Sequence, residues 1–254
     1  MFVACSTLCF ARQSLAEALR QIGDLEFSKV DVAIHAQGPH LKPSEVADDV
    51  QRAAQMLKSG PSLAPAAFSV DIDATEPDEF DRQLRGVCRL GRLCSVAVLS
   101  MPAAPVGQGI DAEVNRLTRL VNLVQKEGVV LTVETRVGTL TENPDTAVEL
   151  CERVPGLGLT LDPSHYIAGP NAGKNYDQVF PFVYHVHLRD TGRGPGQFQV
   201  RVGQGEVEYG RIINQLVRYN YDRLLTVQIF DHPDASCNME HEVRKLKYLL
   251  ESLV

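Results

Sequence analysis

The chain has 254 residues, 44% of them hydrophobic and 22% charged; this is ordinary globular composition, with material for a large core and a length that α/β barrels commonly fill as one domain. A net charge of −7, with no dense basic cluster beyond Arg244, Lys245 and Lys247, argues against a nucleic-acid partner, because such surfaces neutralise phosphates with Lys and Arg. No apolar run approaches the ~20 residues that cross a bilayer, so no membrane partner is expected.

The opening MFVACSTLCFARQ lacks a basic n-region and a cleavage-like site, and reads as a first strand, Phe2–Ser6, not a signal peptide. A helical pattern follows at Ser14–Ile22, then a strand at Lys29–Ile34 and a long helix at Ser44–Ser59. Strands at Ala67–Ile72 and Cys94–Ser100 flank a helix at Glu79–Leu93. A helix at Asp111–Glu127, ended by Gly128, precedes a strand at Val129–Glu134. Asn143-Pro144-Asp145 then reads as an N-cap with proline in the first turn, opening a helix at Pro144–Val154. Strands at Gly156–Asp162 and Val183–Leu188 come next, then a glycine-rich loop at Thr191–Glu206, long for a barrel and so a candidate functional loop. A helix at Tyr209–Tyr219, a strand at Leu224–Phe230 and a helix at Asn238–Leu253 complete the chain. Met239–Glu242 lacks HExxH spacing and is expected to be helix surface, as are the three basic residues after it.

Eight strands, each followed by a helix, require parallel crossovers, and near-continuous apolar strands such as LCSVAVLS suit a sheet covered on both faces. Closure into a single (β/α)8 TIM barrel spanning 1–254 is the economical topology. An open doubly wound sheet usually carries a glycine-rich first turn, and STLCFARQS has no glycine. The six cysteines show no CxxC spacing, as expected of reduced thiols in a cytoplasmic protein, with Cys5 in the core.

Charged residues interrupt three consecutive strand ends. Glu134 ends VVLTVE and shares a strand face with Thr132 and Arg136; Asp162 ends GLGLTLD; His187 shares a face with His185 in VYHVHL. Two carboxylates in an apolar barrel mouth repel each other unless a cation neutralises them. A mixed carboxylate and imidazole set suits Mn, Mg, Co, Zn or Fe. The alternative is a hydrogen-bonded cluster with Arg136 or Arg193 as counter-ion. Asp71 and Asp73 read as rim residues or a helix cap, and His35 and His40 as pocket edge or plain loop.

CSTLCF, VETRVG, DPSH, HVHLRD, VGQGEVEYGRI and NYDRLLTVQIF, in this order, resemble the xylose isomerase-like superfamily, whose members include sugar isomerases and epimerases and share a fold with AP endonucleases. The resemblance implies a divalent metal (Mn, Mg, Co or Zn) bound by Glu134, Asp162 and His187, with Glu134 also the base. It implies that His165 and Arg193 contact a sugar or sugar derivative; His35, as pocket edge, is a further expected substrate contact, and a homo-oligomer is compatible with the resemblance. The family's fourth ligand is a glutamate, and here Gln228 stands in its place. An amide oxygen can coordinate but brings no charge and cannot take a proton, which removes one base of a two-base epimerase. Asp231 or His232 could replace it. The expected function is a metal-dependent sugar or polyol isomerase or epimerase; the alternatives are an inactive sugar-binding barrel and, less well matched, an AP-endonuclease-like nuclease. For the nuclease, Gln199 and Arg201 stand where metal ligands are wanted.

Overall fold

β-branched and apolar runs form strands wherever both faces can be covered. In a computed structural model describing residues 1–58, 63–231 and 238–254, these are β1 (Phe2–Ser6), β2 (Lys29–His35), β3 (Ala64–Asp71), β4 (Val98–Pro102), β5 (Val130–Glu134), β6 (Gly158–Leu161), β7 (Val183–Leu188) and β8 (Leu224–Val227). Each pairs in parallel with the next, and β1 pairs with β8 through Phe2–Leu224 to Cys5–Val227, closing the barrel. The outer helices are α1 (Leu15–Asp24), α2 (Pro43–Asp48), α3 (Val50–Lys58), α4 (Pro77–Cys94), α5 (Ile110–Gln125), α6 (Pro144–Arg153), α7 (Ser164–Ile167), α8 (Tyr209–Arg218) and α9 (Met239–Glu251). The fold is thus a (β/α)8 barrel. No described helix is long and apolar enough to cross a membrane.

The helices follow local chemistry. Ser14 and Glu17 form a reciprocal capping box that starts α1, which buries Leu15, Ala18, Leu19 and Ile22 against the sheet; each fully buried Leu or Ile contributes about 1.5–3 kcal/mol. Asn143 accepts from the Asp145 amide at 3.0 Å, and Pro144 occupies the first turn of α6.

Four local expectations are corrected. The helix expected over Ser44–Ser59 breaks at Asp49 (φ −146°, ψ 85°), whose carboxylate accepts from the Arg52 amide at 2.9 Å and starts α3 afresh; Ser59 lies outside the described residues. Cys94 ends α4 instead of opening a strand, because Ser95 turns the chain through the left-handed region (φ 58°) before β4. After β6 there is only the four-residue α7 and a 3-10 turn at Asp177–Phe182, not a full crossover helix. The α9 face expected to be solvated is partly internal: Glu242 and Lys247 are buried, and Glu242 accepts from the Val202 amide at 2.7 Å. Cys237 and His232 lie outside the described residues.

Candidate active site at the barrel mouth

Interior polarity begins one layer below the mouth. Thr132 and Thr160 face each other across β5 and β6 with hydroxyls 2.7 Å apart, and the Thr132 hydroxyl donates to the Leu99 carbonyl at 3.0 Å. Above them, strand register carries Glu134 beside Thr160, and His187 beside Thr226. His187 Nδ1 lies 2.9 Å from Glu134 Oε1, and its Nε2 lies 3.0 Å from Asp31 Oδ2. Asp31, on β2, also meets His185 Nε2 at 2.8 Å. The result is a continuous buried chain of side chains: His185, Asp31, His187, Glu134.

Its electrostatics follow from that bonding. Burial alone pushes His187 down, but hydrogen bonds to Asp31 and Glu134 and their charges raise it to about 10, making it an imidazolium that donates from both nitrogens. Burial raises Asp31, but the bonds from His185 and His187 hold it well below the usual carboxylate range. Burial likewise raises Glu134, yet the bond from His187 and the charges of His187, His165 and Arg136 bring it to about 2. Burial lowers His35, His165 and His185, keeping them neutral near pH 7.

Asp162 is spent differently. Its Oδ1 accepts from the Ser164 amide at 3.0 Å and hydroxyl at 2.5 Å, and its Oδ2 faces Arg189 Nη1 at 2.8 Å. Arg189 is only 2% exposed. It lies over the Phe230 ring, donates to Phe198 O at 2.9 Å and to Ser164 Oγ at 2.6 Å, and lies 3.1 Å from His165 Nε2. A buried guanidinium therefore neutralises the carboxylate that the sequence pattern assigned to a metal.

A cavity of ≈ 250 Å³ opens at this end of the barrel. Glu134, His165, His35 and Gln228 line it, so the structure brings these four expected residues together, with His187 bonded to Glu134 and Asp162 lying 3.7 Å from His165. Arg193 stands elsewhere. It is 81% exposed and pairs with Glu206 at 2.7 Å, because the loop after β7 folds back on itself. Arg136 supplies the guanidinium in the cavity wall instead, and Asp71 lines the same cavity as a carboxylate. Asp73 accepts from Gln37 at 2.8 Å, and Asp231 pairs with Arg12 at 2.6 Å.

The glycine-rich loop expected to be functional is pinned. Asp190 accepts from the amides of Thr191 (3.0 Å), Gly203 (2.6 Å) and Gly205 (3.0 Å), while Lys245 on α9 bonds to Val202 O. Gly205 is required there, since a Cβ would collide with the Asp190 carboxylate. Gln199 exchanges two hydrogen bonds with the Phe230 backbone (2.9 and 2.7 Å) and so is structurally occupied.

The donor chemistry fits a divalent cation. Glu134, Asp162 and Gln228 offer oxygen atoms and His187 an imidazole nitrogen, the mixed donor set such ions take. Gln228 Oε1 is buried without a hydrogen-bond partner, the state of a carbonyl waiting for a positive group. Among the described residues, the His, Cys, Asp or Glu ligand atoms that gather within 4.8 Å are those of Asp31, His185 and His187, a grouping that could also hold an ion.

Asp31 and Arg189 escaped sequence reasoning. The signal for Asp31 was a lone charge at an inward position of KVDVAIH; its partners are 154 and 156 residues away.

The sequence profile of the family described as xylose isomerase-like TIM barrel matches residues 11–249. A probable endonuclease 4 of Listeria monocytogenes serovar 1/2a is 25% identical over 158 residues, 59% of this chain and 50% of that protein, so the chain spans about half the length of this curated relative. Three solved structures superpose over essentially the whole chain. The IOLI protein with a binding zinc atom has a TM-score of 0.78 at 16% identity, covering 100% of this chain and 98% of the other. A D-allulose 3-epimerase from Methylomonas sp. has 0.77 at 14%, with 100% and 98% covered. The probable 3-DHS dehydratase AsbF from Bacillus anthracis has 0.74 at 18%, with 99% of each chain covered. At these identities the likeness is one of fold.

Proposed function

This chain belongs to the xylose isomerase-like TIM barrel family, and from that premise we propose that it is a sugar or polyol isomerase or epimerase acting by proton removal beside a carbonyl. The observation that carries the reading is Glu134: an ionised carboxylate at the end of β5, in the wall of a small cavity whose other polar groups are two imidazoles, hydroxyls, an amide, the Arg136 guanidinium and the Asp71 carboxylate. A cavity of ≈ 250 Å³ suits a molecule smaller than a typical drug.

Glu134, Asp162, His187 and Gln228 would hold a divalent ion, which, when bound, polarises the substrate carbonyl and acidifies the neighbouring C–H. His187 must give up its Nδ1 proton to become a ligand, and Asp31 then fixes the ring by accepting from Nε2 at 3.0 Å. Asp162 reaches the ion only by loosening its 2.8 Å pair with Arg189. Glu134 takes the proton. At about 2 its basicity is low; the imidazolium beside it is the cause, and loss of the His187 proton restores it. Neutral His165, held by the Val137 amide at 3.3 Å on Nδ1, and neutral His35, 3.2 Å from the Ser69 hydroxyl, would orient substrate hydroxyls. Gln228 leaves the opposite face without a carboxylate, so the chemistry favoured is one-base isomerisation.

The test is deuterium incorporation from heavy water into a panel of ketoses, aldoses and polyol ketones, with and without Mn, Mg, Co or Zn. Exchange should appear with metal and fall about 10²–10⁴-fold in Glu134→Gln. Exchange unaffected by Glu134→Gln sinks the assignment. Gln228→Glu should add epimerisation at the exchanged carbon. Incision of abasic DNA is expected to be absent.

A further inference from the structure

Arg136 is placed where a substrate substituent would meet it. It follows Glu134 by two residues and lines the same cavity as Glu134, His35 and His165. Arg189 is committed to Asp162 and Arg193 to Glu206. Arg136 is exposed to the cavity's solvent side and has no ion-pair partner among the described residues. Its planar fork matches an anion, and among the described residues neither carboxylate of the wall, Glu134 or Asp71, makes an ion pair with it. We propose that the substrate is a polyhydroxy carboxylate, a sugar acid or related hydroxy acid, whose carboxylate is gripped by Arg136.

Carboxylate is favoured over phosphate by the backbone around it. Phosphate sites are built from successive free amides. Here the Arg136 amide donates to Thr141 Oγ1 at 3.4 Å, the Val137 amide to His165 Nδ1 at 3.3 Å, and the Gly138 amide to Glu142 Oε2 at 2.8 Å. All three are occupied. What remains is one two-pronged side chain on a turn that these bonds hold still. The inference deepens the proposed isomerase reading, from which it takes only the polyhydroxy skeleton.

The experiment is calorimetric titration with matched pairs: D-glucuronate against D-glucose, and D-gluconate against D-sorbitol, with inorganic phosphate as a third arm. The wild type should bind the acid of at least one pair about tenfold or more tightly than its uncharged partner, the scale of one charge-assisted contact. Arg136→Gln should abolish that preference, Arg136→Lys should keep part of it, and Arg193→Gln should leave it intact. Equal binding of acid and neutral partner, no saturable acid binding at millimolar concentration, tighter binding of phosphate, or a preference surviving Arg136→Gln each overturns the proposal. Acid binding without deuterium exchange overturns the reaction and leaves this proposal standing. Exchange on neutral sugars with no acid preference does the reverse.

Discussion

The two halves of the barrel contribute different chemistry to one cavity. From the β1–β4 side come Leu8, His35, Ser69, Val70 and Asp71, a wall of apolar atoms, one imidazole, one hydroxyl and one rim carboxylate. From the β5–β8 side come Glu134, Asp162, His187 and Gln228, at or just past the strand ends, with Arg189 folded among them. One residue breaks the division. Asp31, fully buried on β2, crosses the interior to hold both imidazoles of β7. Without that acceptor, the imidazolium at His187 would be left to Glu134 alone. The reactive half is therefore organised by a single carboxylate from the quiet half.

Asp31→Leu gives the largest expected effect. It strands two buried imidazoles, and breaking a buried pair from one side costs about 3–5 kcal/mol, read as a drop in urea-unfolding free energy. A loss under about 1 kcal/mol would mean that each half holds its own side chains. Next comes Asp190→Ala in the other half, where three amides lose their acceptor. About 1–3 kcal/mol is expected, together with faster proteolysis within 191–206; unchanged proteolysis would show that α9 pins the loop alone.

A pH effect of smaller size belongs to the β1–β4 side. Burial holds His40 below its ordinary 6.5, so the unfolded chain takes the proton first. Its contribution is full above pH 6.5 and is lost as pH falls below that value. The difference in Tm between wild type and His40→Asn should therefore shrink from about pH 8 to about pH 5; a difference that grows on acidification contradicts the burial argument. Smallest is Arg193→Ala, removing an exposed ion pair worth about 0–1 kcal/mol. It should change neither Tm nor ligand affinity measurably, and a large loss of affinity would return Arg193 to the site.

The barrel itself was legible because its evidence is local: eight apolar runs separated by helical periodicity, with caps such as Asn143 in their expected places. The carboxylates and imidazole of the mouth were legible for the same reason, each ending a run that is otherwise apolar. What escaped depends on the path of the chain. Arg193 follows His187 closely in sequence, yet the fold of the pinned loop turns it outward, while Arg136 on a short turn stays in the wall. Arg189 stands two residues past His187, and its inward packing depends on Phe230 and Asp162 from other strands. Glu242 and Lys247 look like helix surface by periodicity; Glu242 is internal because the loop after β7 bonds to it, and Lys247 because its ammonium lies over the Phe27 ring. The break at Asp49 did leave a trace, a capping side chain within a helical pattern, outweighed there by periodicity.

The pairing of β1 with β8 has a consequence for how the molecule is made. During synthesis the first strand emerges with one edge open, and its partner follows more than 200 residues later. Until then the N-terminal half is an unclosed sheet with an exposed edge, the condition under which chains mispair or recruit neighbours. Gln228 and the Glu242 carboxylate that pins the loop arrive with or after that last strand. The cavity is thus completed only in the final step of assembly, and a nascent chain stalled before β8 carries most of the side chains of the site without the geometry that would let them act.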